Sequence, residues 1–113
     1  KILHYLYKEK FVDDQRYAEL YAGSKFRISK WGKIKIYNAL KQKAIKKEYI
    51  YSALESINNA DYLTVLNNII EKKIKDLKIT EFNENEILKI QNYALQKGYE
   101  KELIIKIFSN FTS

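Results

Sequence analysis

Side chains able to carry catalysis are scarce in this sequence. His4 is the only histidine, and cysteine is absent. A lone imidazole without a nucleophile or a second ligand nearby makes no catalytic constellation. Asp13 and Asp14 are adjacent carboxylates, but neighbours in sequence point in different directions on a helix. Capping a helix start explains them without a metal. No phosphate-cradling glycine loop, zinc-ligand spacing or nucleophile–base pair occurs. The expectation is a non-enzyme with no cofactor and no metal. What the chain does offer is positive charge. The stretch RISKWGKIKIYNALKQKAIKK, residues 27–47, carries eight Lys or Arg, no acid, and the only tryptophan.

The charge is segregated. Residues 1–57 hold 13 Lys/Arg against 6 Asp/Glu, whereas residues 58–113 hold 8 against 8, and no acid lies between Glu19 and Glu48. A one-sided field of this kind draws polyanions or an acidic protein surface. Core formation does not require lysines, so Lys25, Arg27, Lys30, Lys33, Lys35, Lys41, Lys43, Lys46 and Lys47 are the candidate contact residues. Any one of them alone reads as a solvated helix face; the uninterrupted set does not. Reading base edges takes Arg, Asn or Gln aimed into a groove, and within the helix only Asn38 and Gln42 qualify. The segment therefore reads as facing phosphate or acidic side chains, not as a reader of base sequence. Trp31 joins the candidates: it can stack on a base, fill a pocket in a partner, or lock one helix against the next.

These side chains need a scaffold. A chain of 113 residues, 46% hydrophobic and 31% charged, has a globular composition. It supports one compact domain or two small units leaning on each other. No apolar run is long enough to span a membrane, there is no signal-peptide pattern, and the lack of cysteine suits a reducing compartment such as the cytoplasm. Methionine is absent even at position 1, which reads as a trimmed chain with an N-terminal part missing. Proline is absent and glycine occurs three times, which favours helices joined by polar turns over strands.

The periodicity specifies the helices. Residues 1–11 form a first helix. A second begins at Val12-Asp13-Asp14, where Asp13 caps, Asp14 meets the positive helix end and Val12 staples onto Tyr17. Its apolar face is Tyr17, Leu20, Tyr21 and Ser24. After a break at Ser29–Gly32, Ile36, Tyr37, Leu40 and Ala44 share the next face, and Ile50, Ala53, Leu54 and Ile57 the one after. The second half repeats the plan with a long helix over about 60–77. Asn83 and Glu86 then form a capping box, and helices at about 84–97 and 100–110 flank Gly98. Shifting residues 31–57 by 54 gives eight identities in 27 pairs, among them Ile36/Ile90, Lys43/Lys97 and Ile50/Ile104. The expectation is an all-α, elongated and curved array of tandem three-helix repeats. Residues 12–58 make a basic unit and 59–113 a neutral one, while 1–11 are the last helix of a truncated preceding unit.

At Phe11-Val12-Asp13-Asp14-Gln15-Arg16-Tyr17-Ala18 the chain resembles the L-D-D-x-R-F-A signature of the RecX family, regulators of the bacterial RecA recombinase. Trp31-Gly32-Lys33-Ile34-Lys35-Ile36, then Leu40 and Lys43-Ala44-Ile45, is similar to that family's basic-glycine stretch, its isoleucine and leucine, and its lysine-glycine-isoleucine turn. Lys89-Ile90, Tyr93 and Gln96-Lys97-Gly98-Tyr99 resemble its last-repeat pattern. The matches follow the family's order along nearly the whole chain. There are two departures: Ala44 stands where the family has glycine, and most of the N-terminal repeat is missing. The resemblance implies tandem three-helix repeats and negative regulation of RecA, by lying along the groove of the RecA–DNA filament and limiting its growth, ATPase and strand exchange. It implies RecA or its filament as partner and direct binding of single- or double-stranded DNA in some members, and neither catalysis nor a cofactor is implied; no membrane association and a monomer are expected. Asp13, Asp14, Tyr17, Ile36 and Leu40 then stand as structural motif residues.

Overall fold

The computed structural model describes residues 14–112, and the side chains of 14–111. The expected first helix, together with Val12 and Asp13, lies outside the described residues. Among these residues the protein is wholly helical, with six helices and no strand. They are α1 Asp14–Arg27, α2 Lys33–Gln42, α3 Lys47–Glu55, α4 Asn59–Asp76, α5 Glu84–Gln96 and α6 Lys101–Thr112. Helix α1 packs on α2 and α3, which pack on each other; α4, α5 and α6 form the second such set. The molecule measures 54 × 24 × 18 Å with a radius of gyration of 16.4 Å, against about 13 Å for a compact globule of this length. It is an elongated tandem array.

Local chemistry sets the helix ends. Asp14 opens α1 at its positive end. Asn58 and Asn83 cap α4 and α5 by accepting from the amides of Asp61 and Glu86, both at 2.9 Å. Glu86 itself leans toward Lys89, 3.8 Å away. Helices α2, α4 and α5 end in one way: the residue after the cap enters the left-handed region, and the next amide reaches back five residues. The bonds are Ile45 N to Leu40 O, Ile79 N to Ile74 O and Tyr99 N to Ala94 O, at 3.1–3.3 Å.

The left-handed residues at these three ends are Ala44 (φ 66°), Lys78 (φ 54°) and Gly98 (φ 102°), and Lys30 (φ 61°) is left-handed after α1. Ala44 and Gly98 are equivalent under the 54-residue shift, so alanine makes unaided the turn that glycine makes in the second unit, at a steric cost. This corrects the helical face expected for Ala44: α2 stops at Gln42, and Ala44 is an exposed turn residue.

Burial repeats with the same shift. Ile36 and Ile90, Leu40 and Ala94, Ile45 and Tyr99, and Ile50 and Ile104 are all buried. In α1 the expected face is rotated. Ala18, Ala22 and Phe26 are buried, whereas Leu20 is 64% exposed; small residues at a four-residue spacing let α1 approach α3 closely, with Tyr17 and Tyr21 flanking. The cores of the two halves are continuous. Tyr62 of α4 lies against Phe26 of α1, with ring centroids 5.8 Å apart, and against Tyr99, at 5.1 Å.

Candidate functional site

Two turns meet where the halves join, and this joint positions the basic segment. Gly32 N donates to Lys97 O at 2.7 Å and Ile34 N to Gly98 O at 2.9 Å. A Cβ on Gly32 would stand 2.3 Å from both the carbonyl carbon and oxygen of Gly98, and 2.5 Å from Tyr99 N. Only glycine permits that approach. Around this backbone contact, Tyr99 Oη donates to Lys30 O at 2.9 Å and Lys97 Nζ to Ser29 O at 3.0 Å. Tyr62 Oη accepts from Lys33 N at 2.9 Å and donates to Glu100 Oε1 at 2.5 Å. Both tyrosine pKa values are raised above the usual range. Burial is the main cause in each, helped in Tyr62 by the bond to Glu100 and in Tyr99 by that residue's charge.

The basic segment fans out from this joint. Arg27, Lys30, Lys41, Lys43, Lys46 and Lys47 are exposed, while Lys25, Lys33 and Lys35 are half-buried. Among the described residues the only ion pairs are Lys72–Asp76, Lys75–Glu71 and Lys89–Glu86. All three lie in the second half, so none of the segment's cations is neutralised by a carboxylate contact. Aromatic rings organise them instead. The Trp31 ring holds the ammonium groups of Lys25 and Lys35, each 4.8 Å from its centroid. Lys33 stands 4.8 Å from the Tyr62 ring and Lys41 5.8 Å from that of Tyr37. Tyr21 receives both Lys25 and Lys43, each at 5.5 Å. Such contacts contribute about 0.5–1 kcal/mol each at exposed sites.

Of the alternatives open for Trp31, packing is the one the geometry displays: the indole is half-buried against the core. Lys33 and Lys35 likewise combine charge with packing. Of the motif residues, Ile36 and Leu40 are fully buried, and Tyr17 is half-buried and stacked on Tyr21 at 6.1 Å. Asn38 and Gln42, the possible base readers, are exposed.

A family model described as RecX, second three-helix domain, matches residues 13–54, which takes in α1, α2 and all but the last residue of α3. The proteins this chain is similar to include the regulatory protein RecX of Clostridium acetobutylicum, 36% identical over 96% of this chain and 53% of that protein. The regulatory proteins RecX of Serratia proteamaculans and Yersinia enterocolitica are 31% and 29% identical, each over 98% of this chain and 64% of the relative. Over nearly its whole length the chain is similar to RecX proteins. It spans between about half and two thirds of the length of these curated relatives. No solved structure matches it. RecX relatives carry the name of a regulatory protein, and among the described residues no cluster of three or more metal-ligating side chains occurs. None of the described helices is long and apolar enough to cross a membrane.

The joint is the feature of the site that sequence reasoning missed. Its signal was present: Gly32 and Gly98 are two of only three glycines, and each follows a motif position in its own half, Gly32 after Trp31 and Gly98 after Lys97. Nothing in the sequence pairs them, because their contact spans the two repeats.

Proposed function

We propose that this chain is a negative regulator of the RecA recombinase that docks on the RecA–DNA filament and limits its growth, ATPase and strand exchange. Lys25, Arg27, Lys30, Trp31, Lys33, Lys35, Lys41, Lys43, Lys46 and Lys47 form its contact surface. One observation carries the reading: an acid-free set of cations without carboxylate partners, fixed by a backbone joint to a second three-helix set in an elongated molecule. A filament presents phosphates and acidic side chains repeatedly along a groove, and a stiff elongated ligand matches such a track with little loss of freedom on binding. The units are residues 12–58 and 59–113, and the protein works as a monomer in the cytoplasm.

A second reading is a sequence-independent nucleic-acid module. It draws support from the alternation of Tyr21, Trp31 and Tyr37 with lysines, since rings and cations together hold single strands. Binding of the chain to RecA filaments and to naked single-stranded DNA at matched salt separates the two. The regulator reading expects tighter binding to the filament and slowed ATP turnover. Equal affinity for both, with ATPase unchanged, sinks it and leaves the nucleic-acid module.

A further inference from the structure

A second cationic site lies on the charge-neutral half. A cavity of about 330 Å3 opens between α4, α5 and the turn after α1, walled by Val65, Ile69 and Tyr93 and lined also by Lys30, Lys72 and Lys97. No carboxylate lines it. Two of its cations are held in place by turn carbonyls: Lys97 Nζ donates to Ser29 O at 3.0 Å and Lys30 Nζ to Arg27 O at 3.1 Å. An ammonium has three donors, so each keeps two for a ligand. A third cation, Lys73, sits 4.4 Å from the Tyr93 ring centroid. Asp76 is paired with Lys72 at 3.2 Å, but both are well exposed and solvent screens the pair. Three lysines, Lys30, Lys72 and Lys97, thus line an apolar hollow, with Lys73 on the ring of its Tyr93 wall.

We propose that this cavity binds an acidic protein segment, which inserts one apolar side chain between Val65, Ile69 and Tyr93 and lays flanking carboxylates on Lys30 and Lys97. The hollow is near the lower end of the roughly 300–1,000 Å3 of ligand sites, which suits a single side chain. The cations are positioned before binding, so little ordering cost remains. A protein segment fits better than a nucleic acid. A base needs an open aromatic face, and Tyr93, the one ring in the wall, already carries Lys73, while Val65 and Ile69 offer no π surface. The site goes beyond the filament reading, since its chemistry asks only for carboxylates around an apolar anchor and it stands on residues of the other half, Lys30 excepted.

The test uses the full chain labelled with 15N and three probes: the capped peptides EDEFEDE and EDESEDE, and a seven-nucleotide oligothymidylate. The phenylalanine peptide is expected to shift the amides of Val65, Asn68, Ile69 and Tyr93, and the serine peptide to bind about tenfold more weakly or worse. Asn68, exposed on α4 and part of the lining, gives the clean variant. Asn68→Glu places a carboxylate in the cavity and should weaken the phenylalanine peptide by about tenfold or more. Lys72→Glu, also at an exposed position, serves equally if the first variant alters the spectrum of the free protein. Equal binding of the two peptides, shifts confined to residues 25–47, or no response to either variant overturns the proposal. Tighter occupation of the cavity by the oligonucleotide overturns it in favour of a nucleic-acid site. None of these outcomes depends on RecA, so the filament reading stands or falls separately.

Discussion

Gly32→Ala is the sharpest test of the joint. Gly32 has φ −80° and ψ 170°, a conformation open to any residue, so backbone strain is not in play. At a helix N-cap the exchange of glycine for alanine by itself costs less than about 1 kcal/mol. The obstacle is the opposing chain: the new methyl would meet Gly98 C and O at 2.3 Å and Tyr99 N at 2.5 Å. All three are backbone atoms, and none can swing aside as a side-chain tip could. The turns must separate by more than an ångström to reach ordinary contact, which breaks the Gly32–Lys97 and Ile34–Gly98 hydrogen bonds and strains those of Tyr62 and Tyr99. Two lost bonds at about 0.5–1.5 kcal/mol each, with their groups left partly desolvated, give roughly 3 kcal/mol. That is a large part of a domain's 5–15 kcal/mol or so and lowers the melting temperature by on the order of 10–20 °C. Urea unfolding followed by circular dichroism measures it. A loss below about 1 kcal/mol would refute the close approach.

Ala44→Gly should stabilise the chain by about 1 kcal/mol, because Ala44 holds φ 66° in a region glycine enters freely; an unchanged or lowered urea midpoint contradicts this. Leu40→Ala removes a fully buried side chain and should cost about 2–5 kcal/mol, so an unaltered melting temperature would show the wrong face assigned to α2. Stability should also fall as pH rises above the ordinary tyrosine pKa of about 10. Tyr62 and Tyr99 have raised pKa values when folded, so the unfolded chain releases protons there while the native one retains them. The stability is full below about pH 10 and declines above it by up to roughly 1.4 kcal/mol per pH unit for each tyrosine. Tyr62→Phe should flatten that decline in urea melts at pH 9 to 11, and an identical slope in the variant would show that Tyr62 is not the group responsible.

The helices were legible because their signals are local. Apolar spacing set α4, and spacing with the Asn83 cap set α5, to within a residue or two, and the 54-residue repeat matched the apolar positions of α2 and α3 to those of α5 and α6. The face of α1 was misjudged because Leu20 is more apolar than Ala18 or Ala22, while close helix packing selects small size over hydrophobicity. Ala44 was placed on the α2 face because it continues the spacing of Ile36, Tyr37 and Leu40, although the resemblance set a turn at Lys43–Ile45; the chain takes the left-handed turn at Ala44. The basic segment was visible as an acid-free run. Its counterpart around Lys97 was hidden, because acids elsewhere in the second half, such as Glu81, Glu84 and Glu102, balance the sum without lining the cavity.

The claim that the basic surface is the docking surface is tested most directly by the triple substitution Lys41→Glu, Lys43→Glu and Lys46→Glu. All three residues are exposed, unlike Lys33 and Lys35, which pack on Tyr62 and Trp31, so the fold should survive a reversal of charge. The measurement is the ATPase of RecA filaments titrated with the variant and with the parent chain, alongside single-stranded DNA binding across a salt series. If phosphates are the contacts, each lost lysine lowers the salt slope for single strands by about 0.7; if acidic side chains of RecA are, DNA binding holds while inhibition collapses. Either result agrees with the account. A variant that folds, binds DNA with the parent's salt slope and still inhibits RecA fully would contradict it.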